Sequence, residues 1–161
     1  MTAPLLVEVS VPGLPRTQGS HKWVTSRSTG RAVPKGDEAA RAHRSKIAGA
    51  LRAVWLPRPA LDAPVHLSAV FGFPRPASHV GKRGGLLAGA PRLHSVKPDT
   101  DKLLRLVGDA LTEARVLSDD SRIVSVAAAK VWLPVGAVGL TLLRVTAADA
   151  GALADPVGAL T

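Results

Sequence analysis

Half of the acidic residues in this 161-residue chain fall within 22 positions, although the chain as a whole carries a net charge of +9. These clustered acids are Asp99, Asp101, Asp109, Glu113, Asp119 and Asp120. Carboxylates held close together repel one another and raise each other's pKa unless a cation lies among them. Mg²⁺ binds carboxylate oxygens together with water and substrate phosphate, and it can activate water and stabilise charge developing on a phosphodiester. The cluster therefore indicates metal-assisted phosphodiester chemistry, with Lys97 and Arg105 available to contact phosphate oxygens.

Each of these acids also has an ordinary structural interpretation. Asp99 is a suitable helix N-cap and Asp101 a first-turn partner of the helix dipole. Asp119 and Asp120 are typical turn residues. The combination favours the metal site, because an Asp-x-Asp pair at a helix start and an Asp-Asp pair one helix later are flanked by basic residues.

The spacing of the acids predicts how they are arranged. Pro98 places Asp99 where a long loop meets a helix, and in extended chain Asp99 and Asp101 lie on one side. Asp101, Arg105 and Asp109 are four residues apart and share a helix face, so Arg105 can pair with either Asp. The Asp119–Asp120 pair either packs beside this helix or returns toward its start.

The elements that must position these residues form a small α+β domain. Alternating apolar residues predict strands over 5–11 and 65–73, and apolar β-branched runs predict a hairpin of strands 123–132 and 138–145. Helical spacing predicts helices over 37–54 and 101–114. Residues 13–36 are expected to be a loop or ragged hairpin, and 74–97 a long loop. We expect one domain over 1–146 with a mixed sheet of about four strands and two helices, and a flexible tail over 147–161.

Composition excludes several classes of site. The chain has no Cys, which removes disulfides and thiolate chemistry. The five His show no paired spacing, so a zinc site is not expected. No apolar run is long enough for a membrane span, and the N-terminus lacks the basic region of a signal peptide, so we expect a cytoplasmic protein.

The positive charge is concentrated in the first 97 residues, which hold 15 Lys or Arg against four Asp or Glu. Residues 98–161 carry a net charge of −2. The predicted loops 13–36 and 74–97 are basic and contain no acid, which suits contact with a polyanion. Candidate DNA-contacting residues there are Lys22, Arg27, Arg31, Lys82, Arg83 and Lys97. Lys82 and Arg83 fit a solvated loop equally well, and Trp23 either stacks on a base or anchors its loop.

Four sequence segments around the acids, in their order along the chain, resemble those of the RusA family of Holliday junction resolvases, which occur in bacteria and phages. The resemblance rests on Lys97-Pro98-Asp99-Thr100-Asp101-Lys102-Leu103-Leu104-Arg105, then Gly108-Asp109-Ala110-Leu111, then Asp119-Asp120-Ser121-Arg122-Ile123-Val124, then Lys130. It covers about residues 97–130. The family pattern has Asn where this chain has Lys102, and Lys where it has Arg105.

The resemblance implies a homodimeric, Mg²⁺-dependent endonuclease, with Mn²⁺ as an alternative ion, that cuts four-way DNA junctions in the bacterial cytoplasm or in a phage-infected cell. It also implies that Asp99, Asp101 and Asp120 are metal ligands and catalytic residues. Arg105 stands at the position of a functional Lys, and Lys102 and Lys130 join the DNA-contacting candidates. Arg105 keeps the positive charge of the family's Lys, but its guanidinium is a planar fork and not a point charge. Lys102 adds a positive charge beside the expected metal site.

Two other functions remain open from the residues alone. A non-catalytic nucleic-acid-binding protein explains the charge bias and predicts no dependence on metal or on the Asp residues. A metal nuclease acting on single strands, flaps or RNA explains the acids equally well. Comparing those substrates with a four-way junction separates the alternatives.

Overall fold

A computed structural model of the chain describes residues 4–19, 22–35 and 37–148. Within those residues, six strands and two α-helices form. The strands are β1 (Leu5–Pro12), β2 (Lys22–Thr25), β3 (Ala32–Lys35), β4 (Val65–Phe73), β5 (Ile123–Trp132) and β6 (Leu140–Ala147), and the helices are α1 (Glu38–Trp55) and α2 (Thr100–Glu113). No helix in the described part is both long and apolar enough to cross a membrane.

The main sheet has four strands in the order β1-β6-β4-β5, and both helices contribute to one core with it. β6 is antiparallel to β1 and β4, whereas β5 is parallel to β4. The predicted α+β domain with a four-stranded mixed sheet and two helices is therefore confirmed. β2 and β3 pair separately as an antiparallel hairpin, in agreement with the prediction for residues 13–36.

The predicted hairpin of the last two strands is wrong, because β4 lies between β5 and β6. The chain reaches β5 from β4 through α2, and a crossover of this kind places its two strands side by side and parallel. The helix that carries the acids is thus the connection that fixes the position of β5.

Both helices bury one apolar side against the sheet, as their spacing predicts. The buried residues of α1 include Ile47, Leu51 and Trp55, and those of α2 include Leu103 and Leu111. Complete burial of a Leu or Ile side chain contributes about 1.5–3 kcal/mol. This packing holds the exposed side of α2, with its acids, in a fixed orientation on the sheet.

Polar contacts join the two helices along their partly exposed edge. Arg44 Nε donates to Glu113 Oε2 at 3.0 Å, and its Nη1 lies 3.9 Å from Asp109 Oδ2. Arg52 Nη2 donates to the Glu113 carbonyl at 2.7 Å. Asp109 therefore faces α1, and Arg105, which was expected to pair with either Asp101 or Asp109, forms no ion pair with either in the described part.

The long loop before α2 is attached to the sheet by an aromatic cluster. His94 stacks on Phe73 with ring centroids 4.0 Å apart and lies 4.2 Å from the Trp132 ring. Trp132 Nε1 also donates to the Leu93 carbonyl at 3.0 Å. Residues 74–97 contain only one short 3-10 helix, Ala77–His79, so the predicted loop is confirmed and its last residues are held against the end of β5.

Candidate active site

Asp99 occupies the N-cap position of α2 without capping the helix. Its backbone is extended, with φ −72° and ψ 140°, and its side chain accepts no hydrogen bond from the helix N-terminus. Instead, its Oδ2 lies 2.9 Å from the Lys102 ammonium. The hydrogen bond and charge of Lys102 lower the pKa of Asp99, with smaller contributions from Lys97 and Lys130. Asp99 is therefore an ionised, exposed carboxylate in cationic surroundings.

Asp101 lies in the first turn of α2 and is exposed. Because the helix begins at Thr100, the extended alternation that we expected to place Asp99 and Asp101 on one side does not apply. The charges of both carboxylates nevertheless act on the same cation, Lys102, with which Asp99 forms an ion pair. Asp99 raises the pKa of Lys102 most strongly, and the charge of Asp101 raises it further. The start of α2 thus already draws one positive charge toward two carboxylates.

Lys130 holds the segment that leads into α2. Its ammonium donates to the carbonyls of Val96 and Pro98, both at 2.7 Å. Lys130 belongs to β5, so these bonds connect the sheet to the residue immediately before Asp99. The structure gives Lys130 a positioning contact; its predicted contact with DNA stays a prediction.

A shallow depression of about 370 Å³ opens beside this segment. It is lined by Thr17, Lys97, Pro98, Asp99 and Lys102. The loop after β1 forms its far wall, because Gln18 N donates to the Lys102 carbonyl at 3.1 Å. The depression presents two ammonium groups and a carboxylate at a helix N-terminus, which suits a phosphate group accompanied by a cation.

Asp120 lies beside a later part of α2. It is the first residue of the short 3-10 helix Asp120–Arg122, which precedes β5. A Cβ placed on Gly108 would lie 3.6 Å from Asp120 Cβ and 3.8 Å from its Oδ2. The Asp119–Asp120 pair therefore packs beside α2, which is the first of the two predicted arrangements. Gly108 follows Asp101 by two helical turns, about 10 Å along the axis.

Asp119 has a structural role in the turn before β5, which was the ordinary interpretation of this residue. Its carboxylate accepts a hydrogen bond from Ser121 N at 2.9 Å and caps the 3-10 helix. Hydrogen bonding by the Ser121 side chain, and then by its backbone N–H, lowers the pKa of Asp119. Asp120 is exposed and does not cap the 3-10 helix.

The three predicted metal ligands do not form a compact group. Among the described residues, no set of three or more His, Cys, Asp or Glu side chains is arranged to hold a metal ion. Mg²⁺ requires fewer protein ligands, because one or two carboxylates with water and substrate phosphate suffice. Asp99 and Asp101 are both exposed at the start of α2, where Asp99 pairs with Lys102, and Asp120 lies apart from them along α2.

The other predicted basic residues lie on exposed turns. Arg27 and Arg31 are exposed in the turn between β2 and β3, whereas the side chain of Lys22 lies outside the described part of the structure. Lys82 and Arg83 are exposed in a tight turn between Gly81 and Gly85. Arg105 is exposed on α2 and forms no ion pair with any described residue. Arg27, Arg31, Lys82, Arg83 and Arg105 do not line the depression.

Two features of the site were missed in the sequence. The segment with Asp120 packs against α2 at Gly108, and an isolated Gly inside a helical pattern was the available signal. The contact between Gln18 and Lys102 joins residues far apart in the chain, and no local pattern indicates it.

Comparison with known proteins gives one family match. The model of the family described as endodeoxyribonuclease RusA matches residues 12–142 of the 161-residue chain. This range contains the depression, both helices and all six clustered acids. Comparison with the curated proteins finds no match.

Proposed function

The chain belongs to the RusA family of endodeoxyribonucleases, and we propose that it is a divalent-metal-dependent, homodimeric endonuclease that resolves four-way DNA junctions. Its place would be in DNA recombination and repair, in the bacterial cytoplasm or in a phage-infected cell. The observation that carries the proposal is the start of α2, where the N-cap carboxylate of Asp99 caps no helix N–H group and instead pairs with the ammonium of Lys102.

Asp99 and Asp101 are the proposed principal ligands for Mg²⁺ or Mn²⁺, and Asp120 is the proposed third acid. A bound metal ion would supply an activated water and stabilise charge on the phosphodiester. The pKa values of Asp99 and Asp119 are lowered, so these two carboxylates are ionised at neutral pH.

The cationic groups around the depression would hold the DNA backbone. Lys97 and Lys102 line the depression beside Asp99 and supply the positive charge that a phosphate requires. Arg105 is exposed one turn beyond Asp101, where its guanidinium can reach a neighbouring phosphate. Lys130 keeps the Val96–Pro98 backbone against β5 and so sets the position of Asp99.

The exposed basic turns would contact the arms of the junction outside the depression. Arg27 and Arg31 lie on one such turn, and Lys82 and Arg83 lie on another. Contacts of this kind are mainly electrostatic, so junction binding should weaken steeply as the salt concentration rises.

The test is cleavage of a synthetic four-way junction with and without Mg²⁺, using Asp101→Asn, Asp120→Asn and a control, Glu38→Gln. Glu38 is also an exposed acid in the first turn of a helix, but it lies in α1. We expect both Asp variants to bind the junction and lose cleavage, while the control cleaves normally. Intact junction after incubation of folded wild-type protein with Mg²⁺ would refute the proposal. Faster cleavage of flaps or single strands would assign the protein a different nuclease substrate.

A further inference from the structure

β5 forms a free edge of the main sheet. Its one strand partner in the described part is β4, and its end is covered where Val131 bridges to Leu93. Over residues 124–130, no described segment bonds to the outer side of the strand. An edge of this kind presents a row of unpaired N–H and C=O groups to the surroundings.

The opposite edge of the sheet is protected in ways that β5 is not. β1 follows Pro4, ends at Pro12 and carries Glu8 in its middle, and charges and prolines both discourage pairing with another strand. Residues 123–129 of β5 contain no charge and no Pro. The next residue, Lys130, has its ammonium bonded to backbone carbonyls.

The β5 edge is also apolar and exposed. Val124 and Val126 are 48% and 47% exposed, and the three alanines 127–129 are exposed as well. Val126 pairs in register with Leu67, which is fully buried on the helix side of the sheet. The helices therefore leave β5 open at Val126, although Ile123 at the start of the strand contacts α2 at Gly108.

The apolar surface extends beyond the strand itself. Leu93 is 73% exposed and Val96 is 57% exposed, and both belong to the segment attached to the end of β5. A contiguous exposed apolar patch is characteristic of a protein–protein contact. We refer to residues 124–130 together with Leu93 and Val96 as the β5 edge.

We propose that the β5 edge pairs with the β5 edge of a second copy of this chain, antiparallel, so that two four-stranded sheets join into one of eight strands. The proposal rests on the homodimer of the proposed function and specifies its interface. A two-fold axis makes two identical edge strands antiparallel, and each copy supplies the unpaired groups that the other requires.

The distribution of charge favours a second copy as the occupant. Two chains of net charge +9 repel each other at most orientations, but the stretch 123–129 brings no charge into the contact. Its alanines 127–129 are small, which lets two backbones approach while Val124 and Val126 bury apolar surface.

Pairing through β5 also arranges the two candidate sites. Asp120 lies three residues before Ile123, the first residue of β5. In an antiparallel pair, the two copies of Asp120 therefore lie at opposite ends of the paired strands, with the two-fold axis between them. The interface would hold the sites at a fixed separation on a substrate that has matching symmetry.

Single-cysteine variants test the pairing directly, because the natural chain has no Cys. Facing residues of antiparallel strands have Cα atoms about 4.5–5.5 Å apart, which is within the range of a disulfide. We expect at least one of Ala127→Cys, Ala128→Cys and Ala129→Cys to form a disulfide-linked dimer on mild oxidation. Ala53→Cys, an exposed position in α1, serves as the control and should remain uncrosslinked.

A second variant tests whether the contact holds the dimer together. Ala128→Lys places like charges near the axis and should raise the dimer dissociation constant about tenfold or more in sedimentation equilibrium. Ala53→Lys adds the same charge elsewhere and should leave the constant unchanged. Circular dichroism of both variants establishes that the monomer fold is retained.

Three results would overturn the interface: a monomeric wild-type chain, a dimer insensitive to Ala128→Lys, or a monomer that dimerises only when residues 149–161 are removed. The last result would mean that the tail of the same chain covers the β5 edge. Junction cleavage is scored separately. A wild-type dimer that is weakened by Ala128→Lys but does not cleave the junction supports the interface and refutes the proposed function. A dimer that cleaves the junction but is not weakened by Ala128→Lys supports the proposed function and refutes the interface.

Discussion

Gly108 provides a sharp test of how α2 positions Asp120. It is a buried glycine inside the helix, and its φ does not lie in the left-handed region. A Cβ at this position would meet Asp120 Cβ at 3.6 Å and Ile123 Cδ1 at 4.0 Å, which are ordinary van der Waals distances. Gly108→Ala therefore fits without movement of the neighbouring segment.

The expected gain from Gly108→Ala is about 1 kcal/mol in the free energy of unfolding, because Ala is favoured over Gly in a helix interior by about that amount. For a domain of this size the melting temperature should rise by about 2–4 °C. Gly49→Ala in α1 is the matched control, since a Cβ there meets no atom within 4 Å and its gain comes from helix propensity alone.

Gly108→Leu should behave in the opposite way. Its further carbons have no room between α2 and the segment of Asp120, and overpacking of this kind typically costs about 1–3 kcal/mol. We expect lower stability in urea unfolding, retained junction binding and strongly reduced cleavage, because Asp120 moves away from α2. Wild-type cleavage by Gly108→Leu, or destabilisation by Gly108→Ala, would refute this account of how Asp120 is held.

Three further outcomes are expected. Lys102→Gln removes the ammonium that lies 2.9 Å from Asp99 Oδ2, so Mn²⁺ should bind about fivefold more tightly in a calorimetric titration; unchanged affinity would exclude Asp99 as a ligand. Gly139→Ala should destabilise the fold by about 2–4 kcal/mol in urea unfolding, because φ there is +133° and the new Cβ would lie 2.7 Å from the Gly13 carbonyl oxygen; wild-type stability would contradict this. Burial, aided by the charge of Lys130, lowers the pKa of His94 below its ordinary value of 6.5, so the stability it contributes is present above pH 6.5 and is lost as the pH falls through that range. His94→Phe should keep the stack and reduce the fall in melting temperature between pH 7.5 and pH 5; an unchanged fall would place the titration elsewhere.

Local patterns predicted the elements well because the signals that define them are local. The strand at 65–73 has the predicted bounds, since its alternation is set by which side chains face the core. Helix α1 begins one residue later than predicted, because Asp37 is its N-cap and accepts a hydrogen bond from Ala40 N at 3.1 Å. The C-terminal tail predicted over 147–161 lies almost entirely outside the described residues.

The candidate site was predicted in composition but not in geometry. The sequence identified the acids, yet the direction of each carboxylate depends on a helix start one residue earlier than expected and on the ion pair with Lys102. Arg105 was expected to pair with either Asp101 or Asp109, but Asp109 lies close to Arg44 on α1 instead. Which basic residue a carboxylate contacts depends on tertiary packing, and the spacing of residues along one helix does not reveal that packing.

The incorrect hairpin and the free edge of β5 have the same cause. A short connection between two apolar strands favours a hairpin, but α2 delivers β5 to the far side of β4, and the chain must then pass the end of β4 to reach β6. The passage is visible where Leu133 N donates to the Phe73 carbonyl and the Leu133 side chain covers Gly72, whose Cβ would lie 2.6 Å from it. β5 pairs with β4 on one side, and β6, the next strand in the chain, does not pair with it. The other edge of β5 is therefore open. The crossover that sets Asp120 against α2 is therefore also what exposes the surface on which a second copy can pair.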